Sequence, residues 1–113
     1  MDWLEKGKAL VAEKKYKEAV DVLKRAIEQN PKDANAFVFR GIAYISLGNH
    51  NEAIKDCKRA IELDSKFAEA YFNKGYAYSL LGDHQKAIEE YKAAARLDLE
   101  QAKDFLLSRG IPW

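Results

Sequence analysis

The chain is poor in the residues and motifs that carry chemistry. It has one cysteine, Cys57, in 113 residues. One thiol closes no intramolecular disulfide and holds no zinc ion by itself, so the expected compartment is reducing and cytoplasmic. Neither sign of charge dominates: 19 Lys+Arg stand against 18 Asp+Glu, a formal net charge of +1. No net field favours nucleic acid or an anionic membrane surface. No run approaches the roughly 20 apolar residues that cross a bilayer. The opening Met1-Asp2-Trp3-Leu4-Glu5-Lys6 contains no apolar core of signal-peptide length. There is no glycine-rich phosphate loop, no Gly-x-Ser-x-Gly and no His-Glu-x-x-His. No cofactor is expected, and an enzyme is the least supported reading.

What the chain does have is ordinary core material, 48% hydrophobic residues, and a repeat. Shifted by 34 residues, the sequence aligns with itself. Gly7, Gly41 and Gly75 coincide, as do Ala9, Ala43 and Ala77; Ala19, Ala53 and Ala87; and Ala26, Ala60 and Ala94. The second and third copies also share Tyr44/Tyr78, Leu47/Leu81, Gly48/Gly82, His50/His84 and Ile54/Ile88. A fixed period of this size marks stacked supersecondary units. The units fall at about 1–33, 34–67 and 68–101, with a capping helix and tail over 102–113.

Each copy reads as two helices. Phe37, Gly41 and Tyr44, and likewise Tyr71, Gly75 and Tyr78, have helical spacing. Gly48 and Gly82 suit a left-handed helix end. Asn49 and Asp83 can cap the next helix, and Asn49 with Glu52 has capping-box spacing. The second helix carries Ala53, Cys57, Ala60 and Ile61 on one face and places Lys55, Asp56, Lys58, Arg59 and Glu62 largely outside. Gly41 and Ala53 are expected where the two helices cross, too close for a larger side chain at an axis separation of about 8–10 Å. The stretch Glu100–Ser108 is amphipathic, with Ala102, Phe105 and Leu106 set to cover the third copy.

Two tempting sites reduce to packing. His50 and His84 occupy one slot a repeat apart, on the order of 10 Å, whereas two nitrogens on one zinc need bonds of about 2.0–2.1 Å. Cys57 occupies the large inward slot that Leu23 and Tyr91 fill in the other copies, so it reads as a small hydrophobe rather than a nucleophile.

The pattern resembles the tetratricopeptide repeat (TPR) family, whose signature is Trp-x2-Leu-Gly-x2-Tyr, Ala-x3-Phe, Ala, Pro. Here it runs Trp3-x2-Lys6-Gly7-x2-Leu10, Ala19-x3-Leu23, Ala26, Pro31; then Phe37-x2-Arg40-Gly41-x2-Tyr44, Ala53-x3-Cys57, Ala60, Ser65; then Tyr71-x2-Lys74-Gly75-x2-Tyr78, Ala87-x3-Tyr91, Ala94, Leu99. The resemblance implies an all-α fold, a right-handed α-solenoid of three helix-turn-helix units with a short C-terminal capping helix. There are departures. Lys14 replaces the usual turn glycine, which implies a looser first turn. Ser65 and Leu99 replace the proline. Lys6, Arg40 and Lys74 stand where leucine is common.

The resemblance also implies a concave groove lined by the first helices, which receives a peptide or helix of another protein. The groove slots map onto Leu4, Glu5, Lys8 and Val11; Asn35, Val38, Phe39, Ile42 and Ile45; and Glu69, Phe72, Asn73, Tyr76 and Ser79. Val38, Ile45 and Phe72 serve packing or binding, and the sequence does not separate the two. Phe39, Ile42 and Tyr76 are harder to explain as core, because an exposed apolar patch marks an interaction site. Some TPR co-chaperones grip a C-terminal carboxylate with basic and amide residues. The corresponding positions here are Leu4, Lys8, Phe39, Glu69 and Asn73, so acidic chaperone tails are not the expected ligand. The expected function is a protein-binding adaptor, without nucleic acid or membrane. The alternative is a self-associating structural module that uses Ile111-Pro112-Trp113 or the open ends of the solenoid.

Overall fold

A computed structural model describes residues 2–113. Among them are seven helices and no strand: α1 (Trp3–Ala12), α2 (Tyr16–Gln29), α3 (Ala34–Ser46), α4 (His50–Leu63), α5 (Ala68–Leu80), α6 (His84–Arg96) and α7 (Glu100–Ser108). They form three helix pairs, α1/α2, α3/α4 and α5/α6, stacked so that each pair docks on the next and α7 closes the last. The stack is a right-handed α-solenoid with extents of 45 × 25 × 21 Å. First helices also touch one another, α1 against α3 and α3 against α5, while second helices make no comparable contact among the described residues. That asymmetry curves the stack, with the first helices on the inside.

The pairs close on small residues. Ala19, Ala53, Ala60, Ala77 and Ala94 have no exposed surface. At Gly75 an added Cβ would lie 2.9 Å from the Tyr91 ring and 3.0 Å from the Ala87 carbonyl oxygen. At Gly41 it would meet nothing nearer than the Cys57 Sγ at 3.4 Å. The expectation that Gly41 leaves no space is therefore corrected: the constraint is strict at Gly75, where the partner is a tyrosine ring, and relaxed at Gly41, where it is a thiol.

The turns within the pairs share one geometry. Lys15 N–H donates to Leu10 O at 2.8 Å, Asn49 N–H to Tyr44 O at 2.8 Å and Asp83 N–H to Tyr78 O at 2.9 Å, the long hydrogen bond of a Schellman end. Gly48 and Gly82 take φ of 83° and 86°, and Lys14 takes 63°. The first turn is thus as tight as the others. Lys14 bears a left-handed strain of about 1 kcal/mol that glycine avoids. The expected Asn49–Glu52 capping box does not form: Asn49 makes no side-chain cap, whereas Asp83 accepts from Lys86 N–H at 3.2 Å. Where proline is missing after α4, the Asp64 carboxylate accepts from Lys66 N–H at 3.1 Å and turns the chain instead. After α6 the chain turns through a left-handed Asp98, φ 72°, and α7 starts at once. There Ala102 and Leu106 are fully buried against Tyr91, Ala94 and Ala95, and Phe105 meets the Tyr91 ring at 4.6 Å.

Asp56 was expected outside and is 5% exposed. Its carboxylate accepts two hydrogen bonds from the Arg40 guanidinium, both 2.8 Å. One repeat on, Lys74 Nζ lies 3.1 Å from Glu90 Oε1. The first copy has Val22 in the acid slot, and Lys6 there lies 5.7 Å from the centre of the Trp3 ring. Two of the three leucine departures, Arg40 and Lys74, are therefore ion pairs that tie α3 to α4 and α5 to α6. Burial pushes the Asp56 carboxyl up despite Arg40, and the Arg40 guanidinium is held up mainly by its hydrogen bonds to Asp56. Desolvation of the acid offsets what the pairing gains, as in buried ion pairs generally.

Two stability predictions follow from this packing. Gly75→Ala should destabilise the fold by about 1–3 kcal/mol through overpacking against Tyr91. Gly41→Ala should be neutral or gain up to about 1 kcal/mol of helix propensity. Urea titration of both variants checks the contrast. Asp56→Ala should lose about 3 kcal/mol by stranding Arg40, while the double change Arg40→Leu/Asp56→Leu should be neutral or stabilising. A double variant as unstable as the single one would refute that account.

Candidate functional site

The inner face carries one well-formed hollow, of about 460 Å³. Lys8 of α1 stands on one side. Asn35, Val38, Phe39 and Ile42 of α3 form the floor, and Glu69, Phe72 and Asn73 of α5 form the other wall. Phe67 and Gln101 complete the lining. Eight of the fourteen groove slots read from the sequence therefore meet in one place. Val11, Ile45 and Ser79 do not line it, nor do three others. Leu4 belongs to a separate hollow with Trp3, Asn30 and Asp33. Glu5 is exposed and reaches the site only through Lys8, 3.3 Å away. Tyr76 is 46% exposed, on the same helix as Phe72 but outside the hollow.

Packing and lining overlap in this floor. Val38 and Ile45 are buried, so their main part is structural. Phe72 packs at a tilt against Tyr91, ring centres 5.2 Å apart, while still lining the hollow. Phe39 packs against the Leu10, Leu23 and Ala43 cluster, and Ile42 against that of Phe37, Val38 and Ala60. Both read from the sequence as harder to explain as core; each is half-buried, packs on the core and also lines the hollow.

The sequence reading missed Phe67 and Gln101. Both occupy the slot just before or at the start of a first-helix position, 34 residues apart, where the second copy has its capping Asp33. The signal was legible: an aromatic replaces a cap residue, and Phe67 caps nothing. Gln101 enters because α7 starts early and closes the far side of the hollow.

The polar groups are mostly free. Lys8 lies 5.4 Å from the centre of the Phe39 ring, a cation–π contact. Asn35 Nδ2 donates to Asp33 Oδ1 at 3.2 Å. No described cation pairs with Glu69, which is exposed in the first turn of α5. The lining contains no histidine, cysteine or serine. Cys57 lies behind it, buried, and burial pushes its thiol up to about 12. His50 is half-buried at the start of α4 and His84 is exposed at the start of α6.

Sequence comparison agrees with the architecture. Models described as "Tetratricopeptide repeat" match residues 10–55 and 68–101, and one described as "TPR repeat" matches 41–82. The chain belongs to the TPR family. No curated protein is significantly similar to it in sequence. Among solved structures, the second TPR domain of human RPAP3, in complex with the HSP70 peptide SGPTIEEVD, is 28% identical with a TM-score of 0.86, covering 95% of this chain and 91% of that one. The Arabidopsis OM64 TPR domain is 29% identical with a TM-score of 0.86, covering 89% and 85%. MamA from Desulfovibrio magneticus RS-1 is 27% identical with a TM-score of 0.80; it overlaps 85% of this chain, which spans only 54% of that one.

Burial of Cys57 makes a direct prediction for this TPR fold. A thiol pushed up to about 12 stays protonated at neutral pH, and the thiolate is the reactive form. A chromogenic disulfide reagent should leave the native protein untouched at pH 8 and titrate one thiol after unfolding in guanidinium. Fast reaction of the native protein would place Cys57 at the surface.

Proposed function

We propose that this chain is a non-catalytic protein-interaction adaptor whose inner groove receives a segment of another protein. The observation that carries the reading is the convergence of Phe39, Ile42, Phe67 and Phe72 with Asn35 and Asn73 in one open hollow. Apolar floor with a few polar groups at the rim is the composition of a recognition site. The two asparagines suit the backbone of an extended ligand, and the aromatic floor suits its side-chain anchors. The peptide-bound relative uses the same architecture for an acidic peptide. This groove differs in chemistry, because its lining offers a single lysine, already shared with Glu5, opposite an unpaired Glu69. An acidic C-terminal tail is therefore disfavoured here. The same lining offers no nucleophile and base pair, which supports a binding rather than a catalytic role.

The test is a peptide selection by display on the wild-type protein, followed by affinity measurement of the selected peptides. Asn73→Ala should weaken them by about two- to tenfold, the range of one lost hydrogen bond. Ile42→Ser should weaken them further, with circular dichroism confirming that the helices remain. The acidic peptide SGPTIEEVD should show no saturation in the micromolar range. Unchanged affinities in both variants would move binding off the inner face, and tight binding of the acidic peptide would overturn the exclusion.

A further inference from the structure

We infer that the groove is selective for an extended segment of a partner protein in which lysine or arginine stands next to the apolar anchor. This rests on the groove reading above and narrows it. The argument is charge complementarity across an apolar floor. Among the described residues, Lys8 is the one cation in the lining. It is already engaged twice, by the Glu5 carboxylate at 3.3 Å and by the face of Phe39 at 5.4 Å. A ligand carboxylate would have to compete with both. Glu69 is the one anion in the lining and has no partner among the described cations. The amino end of α5 contributes a partial positive charge of about one half, which a full carboxylate outweighs. With Glu5 counted, the groove carries one uncompensated negative charge beside Phe72 and Asn73.

A cationic side chain entering there gains twice. Its charged end meets Glu69 at the exposed wall. Its methylene stem lies on Phe67 and Phe72, as long basic side chains do on apolar surface. The neighbouring apolar residue of the ligand then falls over Phe39 and Ile42, between the two asparagines. The occupant is another protein rather than a second copy. The basic and apolar segment of this chain, Arg109 to Trp113, is held in place: Arg109 lies 4.2 Å from the centre of the Phe105 ring, Ile111 N–H donates to Leu106 O at 2.9 Å, and Arg96 Nε donates to Trp113 O at 3.3 Å.

The experiment uses three fluorescein-labelled peptide pools with the same central Leu-Phe anchor and lysine, serine or glutamate on both flanks. Anisotropy is read at low salt against wild type and the variants Glu69→Lys and Ile42→Ser. The lysine pool should bind wild type about two- to fivefold more tightly than the serine pool, the range of an exposed ion pair. Raised salt should erase the difference. Glu69→Lys should reverse the order, with the glutamate pool now tightest, and Ile42→Ser should weaken every pool. Equal binding of the lysine and serine pools, with Ile42→Ser still harmful, overturns the charge preference and leaves the groove reading standing. Failure of all pools to bind overturns both. Concentration-dependent dimerisation in light scattering that the lysine pool competes away makes the occupant a second copy and overturns the assignment to a partner protein.

Discussion

Close approach of the two helices in each pair is the constraint on which the molecule depends. A helix pair this short buries too little surface to stand alone, so each must present a flat, closely packed side to the next. The alanines without exposed surface, Ala19, Ala53, Ala60, Ala77 and Ala94, and the glycine facing the Tyr91 ring make that possible. Once the second helix lies that near, the first helix has only one face left free of its partner. Those free faces stack through α1/α3 and α3/α5 and form the inner groove. The groove is thus a consequence of how tightly the pairs close. Its depth follows from the crossing, and its chemistry from the residues that the crossing leaves pointing inward.

The backbone plan was legible because it is written in residues that admit few substitutes. A 34-residue recurrence of small residues fixes the pairs, and the amphipathic Glu100–Ser108 fixes the cap. Turn chemistry was less legible. Lys14 holds a left-handed conformation that sequence reading assigns to glycine, since the hydrogen bonds of the helix end over-determine it. Asp56 escaped for a related reason: a charge is taken as exposed until its partner is identified. The partner, Arg40, lies on the other helix of the pair.

The groove was legible in outline and misread in detail. Family slots delivered Lys8, Asn35, Phe39, Ile42, Glu69 and Asn73 to one hollow. They gave no account of α7, whose early start brings Gln101 to the wall, or of Phe67, which replaces a cap. They also treated core and groove as alternatives. In a solenoid of this thickness the floor of the groove is the inner surface of the core, so Phe39, Ile42 and Phe72 belong to both.

That double role explains why specificity has to sit at the rim. Phe39 and Phe72 pack on the core as well as lining the hollow, whereas Glu69, Asn73 and Asn35 line it and belong to none of the core clusters. Solved TPR structures under 30% identical to this chain keep the same backbone, and one of them holds an acidic peptide. In this chain the free charge at the rim is negative. An unpaired carboxylate stands at Glu69, and the single lysine is tied to Glu5 and Phe39. Long-range charge sets which ligand approaches and the apolar floor sets how long it stays. On the reading proposed above, an acidic rim over an apolar floor would separate partners by sign of charge at little cost to the scaffold.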